Sequence, residues 1–320
     1  MTSIGIIGEC MIELSRVDVS GAAVSGAGIS GNQFEFYQKR YGGDTYNTAY
    51  YLAQCAKSAI DVSYVTALGD DTISKDMIST FSDAGVNTDL IEEIPGAVPG
   101  LYAIQTDKHG ERSFLYWRSE APARQLLQTP RSETLKSELF KKNWLYFSGI
   151  TLAILYPKGR EAFFDFCQAF QAQGGKIAFD INYRPRLWAS EDDAKSIIDR
   201  AYEICDLALP SYDDEVLLYK VNSPQKAIDR ITELGAKEIV LKNGAEEVYV
   251  HNHGQTEKHD IIPANLVKDT TSAGDSFNAG YLYARLSEQD ISTAVKTGSN
   301  LAKQVIAQTG AIVPVTSPTF

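Results

Sequence analysis

The feature that most constrains the fold is an alternation. Short apolar runs rich in β-formers recur along the chain, with longer amphipathic segments between them. The runs are Ser3 to Gly8 (SIGIIG), Val62 to Gly69 (VSYVTALG), Trp144 to Phe147 (WLYF), Ile177 to Asp180 (IAFD), Leu207 to Pro210 (LALP) and Glu238 to Lys242 (EIVLK). Each has the length and composition of a strand. The intervening segments carry helix signals. Ser190 precedes an amphipathic run with Asp193 three residues on, the spacing of a capping box. Ser223 followed by Pro224, apolar Ile228, Ile231 and Leu234, then Gly235 as a stop, marks another helix. Strands separated by helices pair in parallel and leave helices on both faces, so an α/β fold with a mainly parallel sheet is expected. At 320 residues and 44% hydrophobic content the chain can fill such a core.

Two regions break the rhythm. Ser15 to Arg40 is rich in Gly, Ser and Ala, and Gly100 to Arg118 (GLYAIQTDKHGERSFLYWR) reads as two alternating strands around a turn at Lys108 to Glu111. Together they are expected to form a small β-rich lid on the larger body. Phe163, Phe166 and Phe170 have helical spacing and belong to core packing on this reading. His251, His253 and His259 lie in a polar stretch after EVYV that reads as an exposed loop rather than a metal site.

Charge narrows the function. A formal net charge of -11 argues against nucleic-acid or anionic-membrane partners, which need clustered Lys and Arg. Any anionic ligand must meet a local cationic pocket. Cys10, Cys55, Cys167 and Cys205 are far apart and read as reduced, buried thiols. The start, MTSIGIIGECMIEL, lacks a basic n-region, and Trp144 to Tyr156 is too short to span a bilayer. A cytoplasmic protein is expected.

Chemistry concentrates in Asp269 to Tyr281, DTTSAGDSFNAGY. Small residues there let backbone N–H groups converge, and the helix that follows adds its positive dipole end, which makes an anion cradle. Asp275 beside it can take a proton from a hydroxyl while the cradle stabilises a transferring phosphoryl group. As an isolated fragment, Ala273-Gly274-Asp275 reads first as a helix cap. No G-x-x-x-x-G-K-[ST] phosphate loop occurs.

The stretch Asp269-Thr270-Thr271-Ser272-Ala273-Gly274-Asp275 resembles the C-terminal signature of the ribokinase-like (PfkB) sugar kinases. YGGDTYNTAYYLA from Tyr41 resembles their N-terminal Gly-Gly…Asn motif. Five further stretches, at Gly8 (GECMIEL), Pro99 (PGLYAIQTD), Arg112 (RSFLYWRSEA), Ser148 (SGITLAIL) and Phe179 (FDINYRPRLWAS), resemble the family branch that phosphorylates 2-keto-3-deoxygluconate. The resemblance implies one ribokinase-like catalytic domain over residues 1–320, with lid segments at about 10–40 and 97–120, and ATP and Mg2+ as cofactors. The exposed edges and aromatic faces expected of the lid strands point to a homo-oligomer formed through the lid.

Carried over by position, the resemblance makes Asp275 the base, with Ala273 and Gly274 as the anion hole. Gly43, Asp44 and Asn47 would hold sugar hydroxyls, Tyr102, Tyr116 and Arg118 would reach the substrate from the lid, and Arg184 would sit near its carboxylate and the transferred phosphate. Asn182, Lys242, Asn243, Gly244 and Ser272 would border ATP. The family's Asn-x-x-Glu near the metal is met here by Ser211-Tyr212-Asp213-Asp214, a departure that leaves the metal contacts unassigned. The residues themselves also point to an acid. On a strand Tyr116 and Arg118 share a face, and a guanidinium there can grip a carboxylate with two hydrogen bonds, the alternative being a solvated surface Arg beside a packing Tyr.

Overall fold

The computed structural model describes residues 1–17, 36–106, 112–261 and 263–318. Among these, the larger sheet follows the expected alternation. Its strands in chain order are β1 (Thr2–Ile7), β4 (Ile60–Gly69), β5 (Ile91–Ile94), β8 (Trp144–Ser148), β9 (Lys176–Asp180), β10 (Leu207–Ala208), β11 (Glu238–Asn243), β12 (Glu247–Asn252) and β13 (Gln255–Asp260). They lie in the order β13-β12-β11-β10-β9-β8-β1-β4-β5. Every pairing from β5 to β11 is parallel, and only the β11-β12-β13 edge is antiparallel.

Alternation along each strand fills two cores, one on each face. Ile4, Ile6, Val62, Tyr64, Tyr146 and Val240 point to a core completed by α1 (Asp44–Ala56), α2 (Thr72–Asp83), α9 (Ala273–Leu286) and α10 (Ile291–Ile306). Ile7, Val65, Leu145, Phe147, Ile177, Phe179, Ile239 and Leu241 point to the other. That core is covered by α3 (Ser132–Leu139), α4 (Gly149–Ile154), α5 (Pro157–Ala172), α6 (Glu191–Ile204), α7 (Tyr212–Tyr219) and α8 (Pro224–Leu234). Burying both faces is what a parallel sheet requires. Phe163, Phe166 and Phe170 are buried there as expected, and the four cysteines are free and buried. The helix ends follow their signals. Ser190 Oγ accepts from Asp193 N, Ser223 Oγ accepts from Lys226 N, and Gly235 stops α8 at φ 106°.

A second sheet forms the lid, in the order β3-β2-β6-β7: β2 (Met11–Val17), β3 (Phe36–Gly42), β6 (Leu101–Thr106) and β7 (Arg112–Trp117). The β6-β7 hairpin pairs Leu101 with Trp117 through Thr106 with Arg112. The expected turn at 108–111 and most of the Gly- and Ser-rich tract before Arg40 lie outside the described residues. Lys39 Nζ and Tyr41 Oη on β3 both donate to Asp76 Oδ2 on α2, tying the lid's edge to the body.

One expectation is corrected. The histidine-bearing stretch after EVYV is a β-hairpin, not a loop: β12 runs to Asn252, β13 starts at Gln255, and His253 and Gly254 make the turn with positive φ. Five of the six β13 residues are exposed, so no apolar alternation marked the strand. Among the described residues no group of three or more His, Cys, Asp or Glu side chains could hold a metal ion, and no helix is long and apolar enough to cross a membrane.

Candidate active site

Asp180 at the end of β9 and Lys242 near the end of β11 both bond Asn278 of α9, at the edge of a parallel sheet where ligands bind. Ser272 begins α9 in the left-handed region (φ 61°, ψ 15°) and makes no side-chain cap bond. Ala273 N–H donates to Thr270 O at 3.1 Å, and the N–H groups of Gly274 and Asp275 have no backbone acceptor among the described residues. The free donors of the cradle are thus those of Gly274 and Asp275. Of the expected pair Ala273 and Gly274, the N–H of Ala273 is engaged by Thr270 and that of Gly274 is not bonded to backbone among the described residues.

Asp275 does not cap its helix. Its Oδ2 accepts from Asn47 Nδ2 at 2.8 Å, and its carbonyl oxygen accepts from Thr48 Oγ1 at 3.4 Å. Both partners lie on α1, which starts directly after Gly43. A Cβ on Gly43 would overlap the carbonyl oxygen of Glu9, so only glycine lets α1 begin this close to the end of β1. Asp44, the first residue of α1, accepts from Asn182 Nδ2 at 2.7 Å. Asn182 follows β9 with φ 30°, a strained position of the kind that clusters at functional sites. Its bond to Asp44 ties the turn after β9 to the start of α1.

Behind Asp275 lies a buried polar chain. Lys242, near the end of β11, donates to Asn278 Oδ1 at 2.8 Å and lies 3.5 Å from Asp180 Oδ1. Asn278 Nδ2 in turn donates to Asp180 Oδ2 at 3.0 Å and to Tyr146 Oη at 3.2 Å. A Cβ built on Gly274 would lie 4.0 Å from Lys242 Nζ, so the ammonium borders the cradle. Burial pushes the Asp275 carboxyl up to about 7; the Asp44 and Asp180 charges add to this, and the Asn47 hydrogen bond opposes it. Burial also raises Asp44, against hydrogen bonds from Ser148, Thr45 N–H and Asn182.

On the lid side, Tyr102 and Tyr116 are paired across the hairpin with ring centroids 5.8 Å apart. Tyr102 Oη donates to Glu13 Oε2. Arg118, just past β7, is not a solvated surface residue: its side chain is 10% exposed and ion-paired to Glu9. Arg184 is 54% exposed and lies 3.7 Å from Asp214 Oδ1. Asn243 Nδ2 donates to Glu246 in the β11-β12 turn, and Gly244 in that turn is exposed with φ 58°.

A family model described as pfkB family carbohydrate kinase matches residues 1–318. The chain belongs to this family of carbohydrate kinases. It is 40% identical over 317 residues to the 2-dehydro-3-deoxygluconokinase of Dickeya dadantii strain 3937, covering 98% of this chain and 97% of that one. The enzyme of the same name from Escherichia coli strain K12 is 40% identical over 315 residues, covering 97% of each. Among solved structures, an Escherichia coli chain in complex with ATP and Mg2+ superposes with a TM-score of 0.80 at 19% identity, covering 97% of this chain and 94% of that one.

The start of α9 offers an anion the N–H groups of Gly274 and Asp275, with the Lys242 ammonium beside Gly274. For a divalent cation the site offers isolated carboxylates, Asp180 and Asp214, engaged by Lys242 and Arg184 respectively. A divalent cation there would be held by few protein ligands and would depend on the bound phosphates for the rest. Sequence reasoning missed Asp180, Asn278, Tyr146, Glu9 and Glu13. Asn278 stands three residues after Asp275, the spacing that shares a helix face, and Asp180 ends the run IAFD, so both carried a readable signal.

Proposed function

We propose that the chain phosphorylates 2-keto-3-deoxygluconate on its terminal hydroxyl, using ATP and Mg2+, to give 2-keto-3-deoxy-6-phosphogluconate and ADP. The observation that carries this reading is Asp275, held by Asn47 at the mouth of an anion cradle bordered by Lys242. The substrate follows from the name borne by the 40%-identical relatives and from a buried arginine, Arg118, on the lid.

In this mechanism the hydroxyl gives its proton to Asp275 while its oxygen attacks the γ-phosphorus, and the bond from that phosphorus to the bridging oxygen of ADP breaks. Asn47 fixes the carboxylate's angle. The N–H groups of Gly274 and Asp275 and the Lys242 ammonium stabilise charge on the phosphoryl oxygens. Asp44 and Asn182 orient sugar hydroxyls, Tyr102 and Tyr116 cover the sugar, and Arg118 with Arg184 takes its carboxylate. Ser272, Asn243 and Gly244 line the nucleotide side. Bound Mg2+ would neutralise the phosphates. The chain acts as one catalytic unit with its lid, in the cytoplasm where ATP is found.

A base with its pKa raised to about 7 must lose its proton to work. On this reading kcat/KM falls by about tenfold per pH unit below that value and levels off above it. A rate profile from pH 5 to 9 that is flat through 7 would remove Asp275 as the base.

The lid exposes Tyr37, Phe114, Leu115, Tyr116 and Trp117, between 39% and 58% each, and among the described residues no strand pairs with the outer edges of β3 and β7. Proteins usually cover such surface. Pairing of two subunits through the lid, near residues 34–37 and 101–117, accounts for it; Phe34 lies outside the described residues. Sedimentation at micromolar concentration should give a dimer or larger, and a monomer would contradict the pairing.

A further inference from the structure

Two lid side chains that the proposed function turns toward the sugar acid are each held by a buried carboxylate from one short stretch, Gly8-Glu9-Cys10-Met11-Ile12-Glu13. Arg118 Nη2 donates to Glu9 Oε2, in a pair with side-chain exposures of 10% and 2%. Tyr102 Oη donates to Glu13 Oε2, and Glu13 is 5% exposed. Glu9 follows β1 in the body and Arg118 follows β7 in the lid, so the first pair joins the two sheets. Glu13 and Tyr102 are register partners in β2 and β6, so the second pair lies within the lid. Among the described residues, the hydrogen bonds of Asp275, Asn278 and Lys242 go to partners other than these two acids.

A buried ion pair is weak evidence for stability, because desolvation offsets most of its attraction. Its better-attested use is to fix one arrangement. Glu9 engages one nitrogen of the Arg118 fork, and Arg118 Nε is buried with no partner among the described residues. A guanidinium has five N–H donors, so a second carboxylate can still be accepted. The side chain is then ordered before substrate arrives, which removes that ordering penalty from binding.

We propose that Glu9 and Glu13 are positioning residues that hold Arg118 and Tyr102 in the orientation in which the lid meets the acid end of the substrate. The proposal rests on the sugar-acid reading above. It differs in sign from simple competition, in which Glu9 would occupy Arg118 and its removal would tighten binding of an acid.

Calorimetric titration of the full chain with 2-keto-3-deoxygluconate, in the presence of Mg2+ and a non-hydrolysable ATP analogue, separates the cases. Glu9→Ala should weaken the sugar acid on the order of tenfold, the scale of ordering one long side chain. Glu9→Gln keeps an acceptor oxygen in place and should stay within about threefold of wild type on the same scale. The Kd of the ATP analogue should be unchanged in both. Glu13→Ala should likewise weaken the acid and spare the analogue. Should Glu9→Ala fail to fold, Glu9→Asp, which sets the carboxylate back by one methylene, should show the same selective loss. Unchanged or tighter acid binding in Glu9→Ala, or equal losses for acid and nucleotide, overturns the positioning role. Failure of the wild type to bind the acid would instead overturn the substrate reading.

Discussion

Asp275→Asn is expected to lower turnover by roughly 10²- to 10⁴-fold, the usual contribution of a general base, while the fold stays intact. Asparagine keeps an oxygen that can accept the Asn47 hydrogen bond, so the pocket's geometry is retained and only proton acceptance is lost. The same substitution should raise stability at alkaline pH. Burial lifts the Asp275 pKa from 3.8 to about 7, so between those values the unfolded chain ionises first while the folded chain keeps its proton. Its stabilising effect is fully present below 3.8 and is lost as pH rises through about 7. Removing the charge should therefore stabilise the folded state by on the order of 1–3 kcal/mol above neutrality, allowing for the partial exposure of Asp275, with no gain near pH 4. Near-normal turnover in the variant, or a melting temperature below wild type at pH 8, would contradict the assignment.

Arg118→Ala is expected to lower kcat/KM for 2-keto-3-deoxygluconate by roughly 30- to 5000-fold, since truncating one partner of a buried charge pair costs about 2–5 kcal/mol. The variant also leaves the buried Glu9 carboxylate without its counter-charge, which lowers stability as well. A neutral sugar discriminates between these effects. Loss of folded protein reduces the rates with fructose and with the acid by the same factor, whereas loss of a carboxylate contact falls on the acid alone. The ratio of the two kcat/KM values should therefore shrink in the variant. An unchanged ratio would put Arg118 outside the acid site.

The doubly covered parallel sheet was legible because its strands are short apolar runs and its helices carry Ser caps, Pro starts and a Gly stop, all local signals. The β12-β13 hairpin was half hidden, since five of the six β13 residues face solvent and its pairing is backbone-only information. At the site, Asp275 was readable from the small residues before it. That its partner would be Asn47, 228 positions away, is a tertiary fact, which only the family resemblance suggested by listing both. The roles of Asp180 and Asn278 depend on how β9, β11 and α9 converge on Lys242, and no local pattern encodes that convergence. Glu9 and Glu13 sat inside a recognised stretch, yet their partners follow from lid topology alone.

The most direct measurement is of ADP release by the purified wild-type chain and by Asp275→Asn. It uses ATP and Mg2+ with 2-keto-3-deoxygluconate, gluconate or fructose as acceptor, and ³¹P NMR of the sugar product. The account predicts ADP release with 2-keto-3-deoxygluconate well above that with either other acceptor, a phosphomonoester on the terminal carbon, and near-complete loss of both signals in the variant. No turnover of 2-keto-3-deoxygluconate by the folded wild type, or faster turnover of fructose, would contradict it.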